Sequence, residues 1–279
     1  MSVFDAICHS FSTVAIGGFS THDASIGWFD SARIEAVAIF FMFVSGANFA
    51  LHFLAFRERS IRHYWADSEF SAYVRILLVL CLIVVAYLVL ARYYALPLEA
   101  VRKGLFQTVS IATTTGFTTE SFAAWPGALP VLLIFASFIG GCAASTAGGI
   151  KVVRWLLMYR QGMRELQRLV HPSAEVPVKL GNKAVNPRIV DAVWGFFAVY
   201  VVVFTVLLLI MMTTGMDQQT AFSAVAATLN NLGPGLGEVA NGFGEVSPVA
   251  KWAAVVAMLL GRLEIFTLLV LATPMYWRG

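Results

Sequence analysis

No side chain between Ala192 and Met212 carries a charge, and a run of this length crosses a bilayer, which takes roughly 20 residues. Four other segments approach the same reading. Residues 36–56 are interrupted only by Asn48 and His52, and 76–91 lie between Arg75 and Arg92, whose stems can snorkel. Residues 128–139 are too short alone; they pass through small residues at 140–149 and resume at 150–159. Residues 252–272 carry Arg262 and Glu264. Composition decides between bilayer and soluble core. Apolar residues make up 59% of the chain and charged ones 13%, with mean hydropathy +0.77. Soluble domains run near ~45–50% and ~25%. Lipid is the expected solvent.

The positive-inside rule orients these spans. Arg57, Arg59, Arg62 and Arg75 flank the first connection, and Lys151, Arg154, Arg160, Arg164, Arg168, Lys179, Lys183 and Arg188 surround the second. With Arg278 they hold most of the 19 Lys and Arg residues, on the side taken as cytoplasmic. Asp23, Asp30, Glu120, Glu238 and Glu245 fall opposite. The basic residues lie between spans, so topology explains them; a net charge of +3 gives no reason to expect a nucleic-acid partner. Cys8, Cys81 and Cys142 lie far apart, with no CxxC or Cys/His cluster, and read as packing residues.

Between the spans the chain repeats itself. Residues 12–21, STVAIGGFST, line up with 110–119, SIATTTGFTT; a more diverged copy, AATLNNLGPG, lies at 226–235, and the glycines that align across the three are Gly18, Gly116 and Gly233. Each copy follows a short helix-compatible segment (3–11, 99–109, 217–227) and precedes a polar stretch and a span. The unit is outer helix, re-entrant helix, glycine loop, inner helix. Irregular backbone at membrane depth is tolerated only against protein or a water-filled cavity. Backbone carbonyls that replace an ion's hydration shell are a known solution for K⁺, and glycine lets successive carbonyls point the same way. No carboxylate lies inside these loops, which disfavours an acidic-ring Ca²⁺ filter.

AIGGF at 15–19, TTTGF at 113–117 and NNLGP at 230–234 resemble the second, third and fourth filter loops of the Trk/Ktr/HKT potassium transporters. GGCAASTAGGIK at 140–151 and HPSAEVPVKLG at 171–181 resemble its bacterial TrkH branch. The resemblance implies an all-α integral membrane fold of concatenated outer helix–pore helix–inner helix repeats. It implies a multi-pass protein of the bacterial inner membrane, a homodimer, a cytoplasmic nucleotide-binding regulatory ring (TrkA-like) as partner, and K⁺ as the transported ion with no other cofactor. K⁺ would be held by Ile16, Gly17 and Gly18, by Thr114, Thr115 and Gly116, and by Asn231, Leu232 and Gly233. Phe19 and Phe117 are expected to pack behind the loops.

The resulting layout is repeat 2 at 1–56, a cytoplasmic loop at 57–70, repeat 3 at 71–159 with its inner helix broken at 140–149, a cytoplasmic loop at 160–187, and repeat 4 at 188–279. That makes five spans, one of them broken. The chain opens on a pore helix without a signal-peptide pattern. A first filter copy is therefore expected about a hundred residues upstream of Gly18, and conduction by three loops alone is in doubt.

The small-residue stretch invites two readings. One is a helix-packing face. The other, favoured by the resemblance, is an intramembrane gate involving Gly140, Gly141, Gly148, Gly149 and Lys151; with no proline there, glycine must create the break. Arg262, read as mid-span, costs at least ~2.5–3.5 kcal/mol to insert and is expected to contact carbonyls of this loop and set its closed state. Glu120 and Glu238 are weaker candidates for gathering cations at the mouth; His52 reads as a packing residue and Asp217 as a helix cap.

Enzyme motifs fail. GPGLGE at 233–238 lacks the dinucleotide spacing, the stretch at 144–151 ends in Ile-Lys rather than a P-loop, and no HExxH or GxSxG occurs. Remaining alternatives are a Na⁺- or H⁺-coupled cation symporter and a truncated, non-conducting or regulatory membrane subunit.

Overall fold

The computed structural model describes residues 1–174, 176–181 and 183–277; Arg278, assigned above to the cytoplasmic side, lies outside them. Regular structure is helical apart from one hairpin, β1 (Lys179–Leu180) antiparallel to β2 (Lys183–Ala184). The first unit comprises α1 (Val3–Val14), α2 (Ala32–Ser45) and α3 (Phe49–Glu58), followed by a connecting α4 (Arg62–Ala66). The second is α5 (Ser68–Leu90), α6 (Pro97–Ala112), α7 (Leu129–Ser137) and α8 (Val152–Val170). The third is α9 (Pro187–Thr213), α10 (Gln218–Leu229), α11 (Pro248–Arg262) and α12 (Ile265–Ala272), with α13 (Pro274–Trp277) after it. α5 and α9 are each long and apolar enough to cross a membrane unaided.

Local chemistry starts the three short helices where the repeat places them. Ser2 and Asp5 form a reciprocal capping box on α1. Pro97 opens α6, where its missing N–H costs nothing. Asp217 Oδ2 accepts from the Gln219 and Thr220 amides at α10. Hydrogen bonding from the Thr220 side chain, and then from these amides, holds the exposed Asp217 carboxyl below the ordinary carboxylate range. Both α6 and α10 are buried over most of their length, packed between an outer and an inner helix. In α1 only His9 and Thr13 are buried.

The inner helices depart from the expectation of one broken span, because all three are broken. Residues 36–56 do not form one span: α2 and α3 meet at 94°. Asn48 makes this turn, since its Oδ1 accepts from the Ala50 amide at 2.8 Å and caps a new helix. Residues 252–272 bend by 108° between α11 and α12. There Glu264 leaves the helical path at φ 61° and pairs with Arg154 at 3.0 Å. Between α7 and α8 the chain is non-helical from Phe138 to Lys151.

The connections expected at 57–70 and 160–187 are partly helical. α5 starts at Ser68, inside the 57–70 connection, and α8 runs on to Val170, well into the 160–187 stretch. α8 is amphipathic: Val152, Leu157 and Met158 are buried, while Arg160 and Arg168 lie at the surface.

Candidate ion pathway

The loops after α1, α6 and α10 share one backbone conformation. Ile16, Thr114 and Asn231 have φ of 51°, 63° and 55°, and Gly18, Gly116 and Gly233 have φ of 67°, 82° and 102°. The residue between them in each loop, Gly17, Thr115 or Leu232, has no positive φ. Hydrogen bonds repeat in the same register. The amides of Ile16, Thr114 and Asn231 donate to Thr13, Ile111 and Thr228 at 3.1, 3.0 and 3.1 Å. The amides of Gly17, Thr115 and Leu232 donate to Ser12, Ser110 and Ala227, each at 2.8 Å. Every loop thus turns its N–H groups back onto its own pore helix. None of the nine carbonyls at 16–18, 114–116 and 231–233 accepts a hydrogen bond among the described residues.

The loops stand side by side in a fixed sense. A Cβ on Gly18 would collide with the Thr115 carbonyl, and one on Gly116 with the Leu232 carbonyl; Gly233 has no heavy atom within 4 Å of that position. They form an arc, open beyond Gly233. The C-termini of α1, α6 and α10, where helix dipoles are negative, lead directly into it, and none carries a basic residue in its last turn.

A vestibule of about 780 Å³ lies on one side of the arc, lined by Gly18, Gly116, Gly233, Asp23, Glu120 and Asn241, among others. Glu120 is no free mouth carboxylate. Its Oε1 accepts from Trp125 Nε1 at 2.8 Å, and burial pushes its carboxyl above the ordinary range. Glu238 is exposed and does not line the vestibule. Phe117 is fully buried, as expected, but Phe19 is 81% exposed. Ser110 Oγ donates to the Phe117 carbonyl at 2.7 Å, whereas its counterpart Ser12 Oγ is buried with no partner among the described residues.

The 140–149 stretch crosses the other side of the arc and touches the inner end of every pore helix. Thr146 Oγ1 donates to the Val14 carbonyl at 2.9 Å. The Gly148 amide donates to Thr114 Oγ1 at 2.7 Å, and the Gly149 amide to the Asn230 carbonyl at 3.3 Å. Gly148 must be glycine, since its Cβ would strike the Asn230 carbonyl. Gly140 and Gly141 sit in the neck, where the Gly141 carbonyl accepts from Val152 at 3.0 Å. Lys151 Nζ donates to the Ala147 carbonyl. Arg262 Nη1 donates to the Thr146 carbonyl at 3.1 Å. Arg262 is not mid-span: it ends α11 beside the 108° bend and is exposed to a cavity of about 380 Å³ beneath the loop. Its charge therefore meets an open space rather than lipid. It does not pair with Glu264, which Arg154 engages.

Sequence reasoning missed three groups here. Asn230 ties the arc to the second and third units: its Oδ1 accepts from Tyr200 at 2.6 Å and its Nδ2 donates to Ser137 at 2.9 Å. Glu35, buried in α2, accepts from Arg102 Nε at 2.7 Å with Lys103 at 3.5 Å, which fastens α6 from behind. Glu69 reaches the neck of the loop. Only Asn230 carries a sequence signal, through its place next to the filter copy. His52 is a packing residue, bonded to Tyr64 at 2.7 Å and to the Val44 carbonyl at 2.9 Å.

Repeated short helices, carbonyl-bearing loops and broken inner helices define an all-α membrane protein. The chain matches the TrkH family, described as cation transport protein, over residues 1–278, and it belongs to that family. It is 58% identical to the Trk system potassium uptake protein TrkH of Vibrio parahaemolyticus and 54% identical to that of Escherichia coli K12, covering 100% of this chain and 58% of each relative. It is 37% identical to the Escherichia coli protein TrkG. The crystal structure of the potassium transporter TrkH from Vibrio parahaemolyticus superposes with a TM-score of 0.95 over 99% of this chain and 60% of that one. The chain thus spans well under two thirds of the length of these relatives.

Proposed function

We propose that this chain supplies three of the four filter loops of a K⁺ uptake pathway in the bacterial inner membrane, with the 140–149 loop as its gate. The observation that carries this reading is the shared conformation of the three loops, which leaves nine carbonyls unpartnered between two cavities. Uncharged oxygens backed by the negative ends of three helices stabilise a monovalent cation that has shed its water. The names of the relatives support K⁺ as that cation. The open side of the arc at Gly233 accommodates a fourth loop, contributed by sequence upstream of this chain.

Below the filter, the amides of Gly148 and Gly149 occupy the oxygens that a descending ion would meet, and Arg262 holds the loop there from beneath. Opening requires the loop tip to leave these partners. The exposed basic residues of α8 and the adjoining hairpin form the face on which a cytoplasmic nucleotide-binding ring would act. We assign assembly as a homodimer on the resemblance alone.

The test is Rb⁺ uptake in a bacterium deficient in K⁺ uptake, using this chain joined to a complete upstream repeat. Gly116→Ser abolishes uptake if the filter assignment holds, because its side chain would meet the Leu232 carbonyl. Arg262→Ala raises flux if it latches the gate. Absence of uptake in every form would overturn conduction and favour a regulatory membrane subunit.

A further inference from the structure

The carboxylate of Glu69 is nearly buried in the first turn of α5, and the pathway described above gives it no part. Its Oε1 accepts from two backbone amides at once: Ala143 at 2.7 Å and Val153 at 3.1 Å. These amides lie on opposite limbs of the intramembrane loop. The limbs are already joined, since the Ile150 amide donates to the Phe138 carbonyl and the Val152 amide to the Gly141 carbonyl, both at 3.0 Å. Glu69 fastens this closed neck to a neighbouring helix.

The local chain needs such a fastening. Val153 carries one of the first N–H groups of α8, which have no partner within the helix, and the N-cap residue Lys151 supplies no side-chain bond. Lys151 also has φ 83° and ψ 138°, a region that is costly for any residue with a side chain. Strained backbone of this kind persists only where its surroundings over-determine it. A side-chain oxygen that accepts from these otherwise unpartnered amides is one way to do so. The tip, by contrast, is held by Thr114, Asn230, Val14 and Arg262, all on other elements.

We infer that Glu69 is the positioning residue of the gate: it pins the neck of the loop to α5, so that the tip alone moves against the filter. The inference rests on reading the 140–149 loop as the gate. What Glu69 supplies is an acceptor oxygen shared by two amides. A glutamine keeps that oxygen and loses the charge; an aspartate keeps the charge but is one methylene too short to span both amides.

Cys142 lies in the neck and is fully buried, while Cys81, buried within α5, serves as an internal reference. The experiment measures alkylation of both thiols by a membrane-permeant maleimide, read by mass spectrometry. It uses membranes holding this chain joined to its upstream repeat, with Rb⁺ flux recorded in parallel. In Glu69→Ala, Cys142 is expected to react roughly tenfold faster, with Cys81 unchanged and Rb⁺ leak raised. Glu69→Gln is expected to match the parent in both readouts. Should Glu69→Ala expose Cys81 as well, the fold has failed, and Glu69→Asp takes its place with the same expectation at Cys142. Protection of Cys142 in the alanine and aspartate variants would overturn the inference, as would a glutamine variant as reactive as alanine. Exposure of Cys142 without any change in flux would uphold Glu69 as the neck anchor and overturn the reading of the loop as the barrier.

Discussion

The filter loops and the intramembrane loop lie in contact, yet they are wired in opposite ways. Each filter loop takes its shape from amides that donate to carbonyls three or five positions earlier in the same pore helix, as Thr114 does to Ile111 and Thr115 to Ser110. The 140–149 loop draws on Gly46, Glu69, Thr114, Asn230, Val14 and Arg262, contributed by all three units. A locally wired segment keeps its conformation whenever its helix is folded. A remotely wired one keeps it only while every neighbour is in place, so a small displacement of any of them releases it. On the proposed reading, the filter is the part built to stay and the 140–149 loop the part built to leave.

Glycine substitution offers the sharpest way to break this contrast. Gly116 and Gly148 both have a carbonyl where a Cβ would go. Crowding in the filter disturbs its oxygens and, as for Gly116→Ser, abolishes uptake. In Gly148→Ala the clash with the Asn230 carbonyl pushes the tip off the filter, and Rb⁺ flux with the gate closed should rise about tenfold. Loss of flux in the Gly148 variant would place that residue with the filter and erase the distinction. A smaller effect is expected from Thr114→Val, which keeps side-chain shape but removes the acceptor for the Gly148 amide. One neutral hydrogen bond is worth ~0.5–1.5 kcal/mol net, so closed-state flux should rise by about two- to tenfold with ion selectivity kept. Unchanged flux would show that the tip does not depend on this partner.

The smallest effect concerns α1, the least buried of the pore helices. Bonds from Thr21 and Ser2 lower the Asp5 carboxyl to about 2. A carboxylate whose folded pKa is depressed stabilises the fold above its unfolded pKa, and this is lost as pH falls toward the folded value. Thermal unfolding in detergent should therefore shift slightly down between pH ~4 and about 2, and Asp5→Asn should flatten that slope. An unaltered slope would remove Asp5 from the stability of this helix.

Legibility in sequence follows the same division. The shared conformation of the three loops could be read because its determinants are local: Ser110, Thr114 and Gly116 lie within one short stretch, and the copies at 12–21 and 226–235 repeat it. The glycines of the 140–149 stretch stand out by composition. What the loop binds does not, because Glu69 reads from sequence as an ordinary acidic residue in a helix's first turn, and its partners lie far along the chain. The bends at Asn48 and Glu264 were missed for a related reason. Both runs are apolar enough to span, and one polar residue in such a run does not reveal that a contact with Ala144 or Arg154 will stabilise a turn.

The bends of 94° and 108° have an electrical consequence. On the proposed reading, with the lower halves of two inner helices turned aside, water filling the two cavities would reach the loop from one face and the filter from the other. The voltage across the membrane then falls almost wholly over the thin layer between the two cavities. An elementary charge crossing the full potential gains ~2.3 kcal/mol per 100 mV. Here that work is done over little more than the filter and the loop tip, and any charge that moves with the tip feels a large share of it.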